Sequence, residues 1–451
     1  MQLSDKKVLI VGLGKSGNAA ARLCIKLGAT VRATDARMDA REVKELAALG
    51  VVLSLGGHRE EDFQWAEDIV LSPGVDHRLP EIQRAASRGA RVLGELALAY
   101  EFINCPSIMI TGSNGKTTVS TLIAGILRAA GFSVFAGGNL GTPLSQLVLD
   151  GDTPDWAVLE ISSFQADTAD NLKPKVGIVL NLTPDHLDRY NSFAEYADSK
   201  FRMLKNQTGD DLAILCSDDK HVAARIDKAP ALRMLYGEDY PKLDNSAWLQ
   251  GNFMVLRLPE REPVMIDIAG SQLTGTFNQL NMLAVAAACL YVGVDVNVIR
   301  EELLNFPGLP HRMVKVAEIN GVTYYNDSKG TNIGAVQAAV NAISTSIVLL
   351  LGGRDKQGDF KKLLPILKNK ATLVVCFGEA GPLIYEQLRH EFPCQLVDTL
   401  ADAVKAAHAV AKRQQAVLLS PGCASFDAYG SYSERGEHFA ELVKQLMENN
   451  N

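Results

Sequence analysis

The chain has 451 residues, 47% of them hydrophobic and 22% charged, a composition that excludes a disordered polymer and gives room for roughly three compact domains. A formal net charge of −7 speaks against nucleic acid as a partner, because phosphate backbones are held mainly by excess Lys and Arg. An anionic substrate must therefore be met by local positive sites.

The N-terminal residues Met1-Gln2-Leu3-Ser4-Asp5-Lys6-Lys7 pass into the strand-like run Val8 to Val11 without the long apolar core of a signal peptide. No later stretch is apolar for long enough to span a bilayer. Cysteines 24, 105, 216, 289, 376, 394 and 423 are scattered without metal-type spacing. Reduced thiols in a cytoplasmic protein with no membrane insertion are the expectation.

In chain order, the strand Val8-Leu9-Ile10-Val11 runs into Gly12-Leu13-Gly14-Lys15-Ser16-Gly17 and a helix-like stretch from Asn18 to Leu27. A strand from Thr30 to Thr34 follows, with Asp35 at its end, and then Asp68 to Leu71 closed by Ser72-Pro73-Gly74. This Gly-x-Gly-x-x-Gly turn suits the pyrophosphate of NAD, another diphosphate such as a UDP-linked one, or simply a tight turn.

The second segment opens near Pro106 with the apolar strand Ser107 to Thr111 and the turn Gly112-Ser113-Asn114-Gly115-Lys116-Thr117-Thr118. Glycine-freed N–H groups, the positive end of a helix beginning at Lys116, a lysine ammonium and a threonine hydroxyl together make a trap for a nucleotide triphosphate and Mg²⁺. Ile110 stands where the full Walker pattern has glycine, so only the Gly112-x-x-Gly115-Lys116-Thr117 half fits.

Strands at Trp156 to Leu159 and Val176 to Asn181 deliver Glu160, with Ser162-Ser163-Phe164-Gln165 after it, and the cluster Asn181-Leu182-Thr183-Pro184-Asp185-His186-Leu187-Asp188. One carboxylate and one hydroxyl suffice for Mg²⁺ beside phosphates, and His186 reads either as a looser ligand or as a turn residue. Lys200, in the helix-like run Phe193 to Leu204, reads from pattern alone as part of a solvated face. A β-rich stretch from Ala213 to Thr276, a helix from about Gln279 to Val292 and the breaker-rich link Phe306-Pro307-Gly308-Leu309-Pro310 complete the segment.

The third segment begins with Val322 to Asp327 and has strands at Ser346 to Leu351, Thr372 to Phe377 and Ala416 to Leu419. Polar, glycine-bearing loops stand at Pro310-His311-Arg312, Asp327-Ser328-Lys329-Gly330-Thr331-Asn332, Gly352-Gly353-Arg354-Asp355-Lys356 and Ser420 to Asp427. Alternation of strands and helices in all three segments is the α/β signature, with sites expected at strand carboxyl ends.

Taken together, Thr111 to Thr117, Glu160 with Ser162 to Gln165, Asn181 to Tyr190, His311-Arg312 and Asn326 to Asn332 resemble the Mur ligase superfamily, the ATP-dependent amide ligases of cell-wall and folyl-polyglutamate synthesis. The resemblance covers essentially the whole chain, and a missing first Walker glycine is normal in that superfamily. It implies an α/β fold of three domains. Residues 1–97 would form a Rossmann-like UDP-substrate domain, 98–309 a P-loop ATP-binding domain with a mainly parallel sheet, and 310–451 a Rossmann-like amino-acid domain. The Gly12 to Gly17 start, the Gly352 to Lys356 loop and the Leu419 to Ser425 loop point within the family to addition of D-glutamate to UDP-N-acetylmuramoyl-L-alanine through an acyl phosphate.

By the same resemblance, Gly112, Ser113, Asn114, Gly115, Lys116, Thr117, Thr118, Asn278, Asn281, Arg312 and Asp327 would bind ATP. Leu13, Lys15, Ser16, Asp35, Arg37, Gly74, Asn139 and His186 would bind the UDP-substrate. Lys329, Thr331, Lys356, Ser425 and the backbone near Tyr432 would hold D-glutamate. Thr117, Glu160, His186 and a carbamylated Lys200 would hold two Mg²⁺, with Lys116, Glu160, His186 and Lys200 catalytic. A monomer is implied, with the third domain closing over bound substrate to shield the acyl phosphate from water. Three other readings compete. A sister ligase would add a different amino acid. An NAD-dependent dehydrogenase would leave the phosphate loop, Glu160 and the third domain unexplained. A non-catalytic nucleotide-binding module sits badly with intact Lys116, Glu160 and His186.

Overall fold

The computed structural model describes residues 3–40, 42–139, 141–186, 189–258 and 262–449. They form three mainly parallel α/β sheets carried by two compact units. The first unit comprises Met1–Leu182, Ala194–Gly270 and Leu280–Leu304. The second comprises Thr183–Phe193, Ser271–Gln279 and Asn305–Asn451, so the segment bearing Asp185 and His186 belongs with the C-terminal sheet. Leu187 and Asp188 of the expected cluster lie outside the described residues.

In the first unit, β1 (Lys7–Val11), β2 (Thr30–Asp35), β3 (Val52–Leu55), β4 (Asp68–Leu71) and β5 (Arg91–Gly94) make a parallel sheet in the order β3-β2-β1-β4-β5. Strand order reverses between β1 and β4, which opens a crevice at their carboxyl ends. Both loops singled out there, Gly12 to Gly17 and Ser72 to Gly74, leave those two strands.

The same unit holds a sheet of nine strands, β6 (Ser107–Thr111), β7 (Val134–Gly138), β8 (Trp156–Glu160), β9 (Val176–Val179), β10 (Leu212–Cys216), β11 (Leu232–Gly237), β12 (Ser246–Gln250), β13 (Phe253–Arg257) and β14 (Val264–Asp267), ordered β14-β13-β12-β11-β10-β9-β6-β8-β7. The β12-β13-β14 end is antiparallel and the rest parallel. All five residues of β6 are buried, as a strand covered on both faces requires. Its neighbours β8 and β9 lie on opposite sides, so the phosphate loop emerges at this sheet's own reversal point.

In the second unit, β15 (Val314–Ile319), β16 (Val322–Asn326), β17 (Ile347–Gly352), β18 (Ala371–Phe377), β19 (Cys394–Leu396) and β20 (Ala416–Gly422) are ordered β15-β16-β20-β17-β18-β19. Only the β15-β16 pair is antiparallel. Along β17, Ile347, Leu349 and Leu351 enter one apolar layer with Val336 and Ile384, while Val348 and Leu350 enter the opposite one with Val404 and Phe439. The uninterrupted apolar run Ile347-Val348-Leu349-Leu350-Leu351 is the consequence of helices on both faces.

Several boundaries differ from expectation. The first helix starts at Lys15, inside the glycine turn, and the helix expected from about Gln279 begins at Thr276. The stretch from Ala213 to Thr276 is interrupted by a helix at Lys220–Ala223, which Asp219 caps by accepting from His221 N and Val222 N. All seven cysteines are unbridged thiols. Among the described residues, no helix is long and apolar enough to cross a membrane.

Candidate active site

The phosphate loop is stitched to neighbouring elements on both sides. Ser113 N donates to Asn181 O at 2.8 Å, and the Asn181 amide clasps Asn114, accepting from its N and donating to its O, both at 2.9 Å. Ser113 Oγ shares a 2.9 Å hydrogen bond with Tyr196 Oη. The Lys116 ammonium folds back to donate to Gly112 O and Ser113 O, at 2.9 and 3.0 Å. A cation held in the cradle by carbonyls is poised to exchange them for phosphate oxygens. Thr118 is buried in the helix Lys116–Ala129, and Asn281 is buried with its Oδ1 only 2.6 Å from where a Cβ on Gly115 would stand. Asn281 Nδ2 is a buried donor without a hydrogen-bond partner among the described residues. Asn278, three residues earlier on the same helix, donates to Thr274 O at 2.9 Å.

Glu160 ends β8 beside this loop. Its Oε2 accepts from Thr117 Oγ1 at 2.8 Å and its Oε1 from Asn139 Nδ2 at 2.6 Å, although the side chain is buried. Among the described residues no group of three or more His, Cys, Asp or Glu side chains is placed to hold a metal. The hydroxyl and carboxylate of Thr117 and Glu160 nevertheless form a hard-oxygen pair at the loop, which is what Mg²⁺ asks of a protein when phosphates and water complete its shell. Lys200, expected from pattern on a solvated face, is instead 2% exposed. Its Nζ donates to Gly112 O at 2.9 Å and lies 4.8 Å from the centre of the Tyr196 ring.

At the first sheet's crevice, Asp35 Oδ2 accepts from Leu13 N at 2.7 Å and Asp35 Oδ1 from Arg37 N and Nε at 2.8 and 3.1 Å. Burial alone would raise the Asp35 pKa, but hydrogen bonds from Arg37 and Leu13 outweigh it and hold the carboxyl below its usual range. Lys15 and Gly74 are exposed and Ser16 is partly so. A Cβ on Gly17 would stand 1.9 Å from Gly12 O, so helix and turn meet here only without a side chain.

In the second unit, Asp327 is buried and accepts from Ser420 Oγ at 2.7 Å. Burial lifts its pKa to about 7, against opposing pulls from Ser420 and Arg312. Lys329 Nζ sits 4.1 Å over the Tyr432 ring. Lys356 Nζ approaches Asp185 Oδ1 at 3.4 Å, while Asn332 Nδ2 donates to Asp185 Oδ2 at 3.3 Å. His186 has a φ of 54° and a ring nitrogen 3.7 Å from Asp185 Oδ2. Thr331 is partly exposed just before Asn332, which caps the helix Ile333–Ala342, and Ser425 is buried. His311, with Arg312 after it, lies 3.2 Å through Nδ1 from Asn326 Nδ2.

Three family descriptions match the chain in order: the MurD-like N-terminal domain of Mur ligases over residues 6–94, the Mur ligase middle domain over 110–289 and the Mur ligase glutamate ligase domain over 311–423. A relative from Geotalea uraniireducens (strain Rf4) is 39% identical over 449 residues, 99% of each chain. The chain belongs to the Mur ligase family. Another relative, from Pelotomaculum thermopropionicum, is 40% identical over 446 residues, 98% of each chain, and both bear the name UDP-N-acetylmuramoylalanine--D-glutamate ligase.

Among solved structures, a pseudomurein peptide ligase type C from Methanothermus fervidus superposes with a TM-score of 0.62 at 19% identity, covering 98% of this chain and all of that one. A MurF ligase from Thermotoga maritima in complex with ADP gives 0.61 at 16% identity, covering 100% of this chain and 97% of the other. Both share the Mur ligase fold. Within this Mur ligase site, the clasp by Asn181 and the Ser113–Tyr196 bond were not assigned from pattern. A polar residue at the end of β9, beside the strand that feeds the loop, was the available signal.

Proposed function

We propose that this Mur ligase joins D-glutamate to UDP-N-acetylmuramoyl-L-alanine at the expense of ATP, a cytoplasmic step in making a peptidoglycan precursor. The observation that carries the reading is near-40% identity along essentially the full length of relatives bearing that name. The phosphate loop with Lys116, Thr117 and Glu160 supports its ATP half.

In the first step the terminal phosphoryl group of ATP passes to the carboxylate of the UDP-substrate, giving ADP and an acyl phosphate. In the second the amine of D-glutamate attacks the acyl carbon, a C–N bond forms, the amine proton is lost and phosphate leaves. Negative charge builds on phosphoryl and then acyl oxygens, so catalysis rests on positioning and cationic stabilisation. Lys116 turns from the carbonyls of Gly112 and Ser113 to the transferring phosphate. Thr117 and Glu160 would hold one Mg²⁺, with His186 and a carbamylated Lys200 assigned to a second; the metal would neutralise phosphate charge. A carbamate on Lys200 replaces a cation, which would repel Mg²⁺, with an oxygen anion.

Loop residues Gly112 to Thr118, with Asn278, Asn281, Arg312 and Asp327, are assigned to ATP. Leu13, Lys15, Ser16, Asp35, Arg37, Gly74, Asn139 and His186 are assigned to the UDP-substrate. Lys329, Thr331, Lys356, Ser425 and the backbone near Tyr432 are assigned to the carboxylates of D-glutamate, which need two separate anchors. The protein acts as a monomer on small-molecule substrates, with neither nucleic acid nor membrane as partner. Phosphate release should require ATP, the UDP-substrate and D-glutamate together. Equal ADP production without D-glutamate would reject the ligase reading, and turnover with another amino acid in its place would assign a sister activity.

A further inference from the structure

The largest fully buried side chain among the described residues is a cation, Arg435. It stands near the start of the helix Tyr432–Asn449, and nothing assigned so far uses it. Its guanidinium spends every N–H on the backbone or hydroxyl of three separate loops. Nε donates to Ser328 Oγ at 3.0 Å. One terminal nitrogen donates to Ala424 O at 3.1 Å and Gly352 O at 3.4 Å, the other to Ser328 O at 2.8 Å and Cys423 O at 3.1 Å. These acceptors are neutral, and among the described residues no carboxylate makes an ion pair with Arg435, though the Asp427 and Asp327 carboxylates lie near enough to favour its charged form. Space for the group is built into the chain. Gly353 has a φ of 127°, and a Cβ there would stand 2.9 Å from the guanidinium and 2.2 Å from Ala424 O.

We propose that Arg435 is the positioning residue that locks the loops after β16, β17 and β20 into one arrangement, and that its buried charge makes that loop cluster selective for an acidic amino acid. The loops it ties are those that carry Lys329, one residue after Ser328, Lys356, three after Gly353, and Ser425, one after Ala424. A planar fork with five donors spans three backbones; a lysine ammonium, a compact point charge with three donors, does not. In a water-excluded interior the charge is weakly screened, so it raises the positive potential where substrate carboxylates are to be held. Burial pulls its pKa to about 10, which leaves it charged at neutral pH. The selectivity half of this inference rests on the amino-acid assignment under Proposed function; the tie between loops rests on the hydrogen bonds alone.

The test uses the full-length enzyme carrying Arg435→Lys, with Ser328→Ala as a milder variant that removes the Nε acceptor and the 2.8 Å bond from Ser328 Oγ to Tyr432 O. Amide exchange should rise together in 327–332, 353–356 and 423–427 while β17 and β20 stay protected. The KM for D-glutamate should rise roughly 10- to 100-fold, with the KM values for ATP and the UDP-substrate within about 2-fold of wild type. Ser328→Ala should shift both readouts in the same direction by less, and it decides the matter if Arg435→Lys does not fold. Unchanged exchange in the three loops, or an equal loss across all three substrates with exchange rising throughout the sheet, would overturn the proposal. If the wild-type enzyme does not use D-glutamate, the amino-acid assignment falls, and the exchange pattern still supports or overturns the tie.

Discussion

Thr117 Oγ1 donates to Glu160 Oε2 across 2.8 Å, joining the first turn of the helix that leaves the phosphate loop to the end of β8. The two residues are far apart in sequence and meet because β6 and β8 pair in parallel, Ile110 beside Glu160. This contact holds a carboxylate and a hydroxyl together beside the phosphate loop.

Replacing that carboxylate by an amide of the same shape should expose its role. Glu160→Gln is expected to lower kcat on the order of 10²- to 10³-fold and to raise the Mg²⁺ concentration needed for half-maximal turnover. Binding of the UDP-substrate, followed by calorimetry, should weaken far less. Wild-type metal dependence in this variant would remove Glu160 from the metal site.

Lys200 is buried, with its ammonium on Gly112 O and beside the Tyr196 ring. Protein incubated with ¹³C-bicarbonate should show a carbamate carbon resonance that disappears in Lys200→Ala. That variant should lose on the order of 10²-fold or more in turnover. Wild-type turnover by Lys200→Ala would discard the carbamate.

Gly17 is held against the Gly12 turn by space alone. Gly17→Ala places a methyl 1.9 Å from Gly12 O and should cost about 1–3 kcal/mol, read as faster amide exchange in the first sheet. UDP-substrate affinity should fall, while ATP affinity is retained. A variant with unaltered affinity and exchange would show that the turn relaxes freely.

The enclosed carboxyl of Asp327 makes stability depend on pH in a defined direction. Its folded pKa is raised to about 7 by burial, above the ordinary value of 3.8, so the folded protein keeps a proton that the unfolded chain releases across that window. The contribution is therefore fully present at acid pH and is lost as pH rises toward 7, by about 4 kcal/mol at most. Asp327→Asn is neutral throughout and should flatten this dependence. Denaturation midpoints of the two proteins should diverge as pH rises, the wild type becoming the less stable; parallel curves would contradict the assignment.

The parts of the site that depend on neighbours in sequence were legible from it: strand, glycine turn, Lys116, Thr117 and helix follow one another without interruption. The parts that depend on tertiary contact were not. Lys200 sits on a helix whose charged pattern suggests solvent, and its ammonium is instead turned onto Gly112 O of the phosphate loop. Arg435 lies in a polar Ser-Glu-Arg-Gly helix turn with no signal of burial, because Ser328 and Gly352 are 107 and 83 residues away. Strands β3, β5, β7, β15 and β19, none of which was expected, all stand at sheet edges, and β3, β5 and β19 have only four, four and three residues to read. The packing of Thr183–Phe193 with the C-terminal sheet was also hidden, since the segment directly follows a strand of the central one.

Mass analysis of the product formed from ATP, D-glutamate and UDP-N-acetylmuramoyl-L-alanine tests the central claim most directly. A species heavier than the UDP-substrate by one glutamyl residue, absent when D-glutamate is omitted, is the predicted result. ADP and phosphate accumulating with the UDP-substrate's mass unchanged would contradict it.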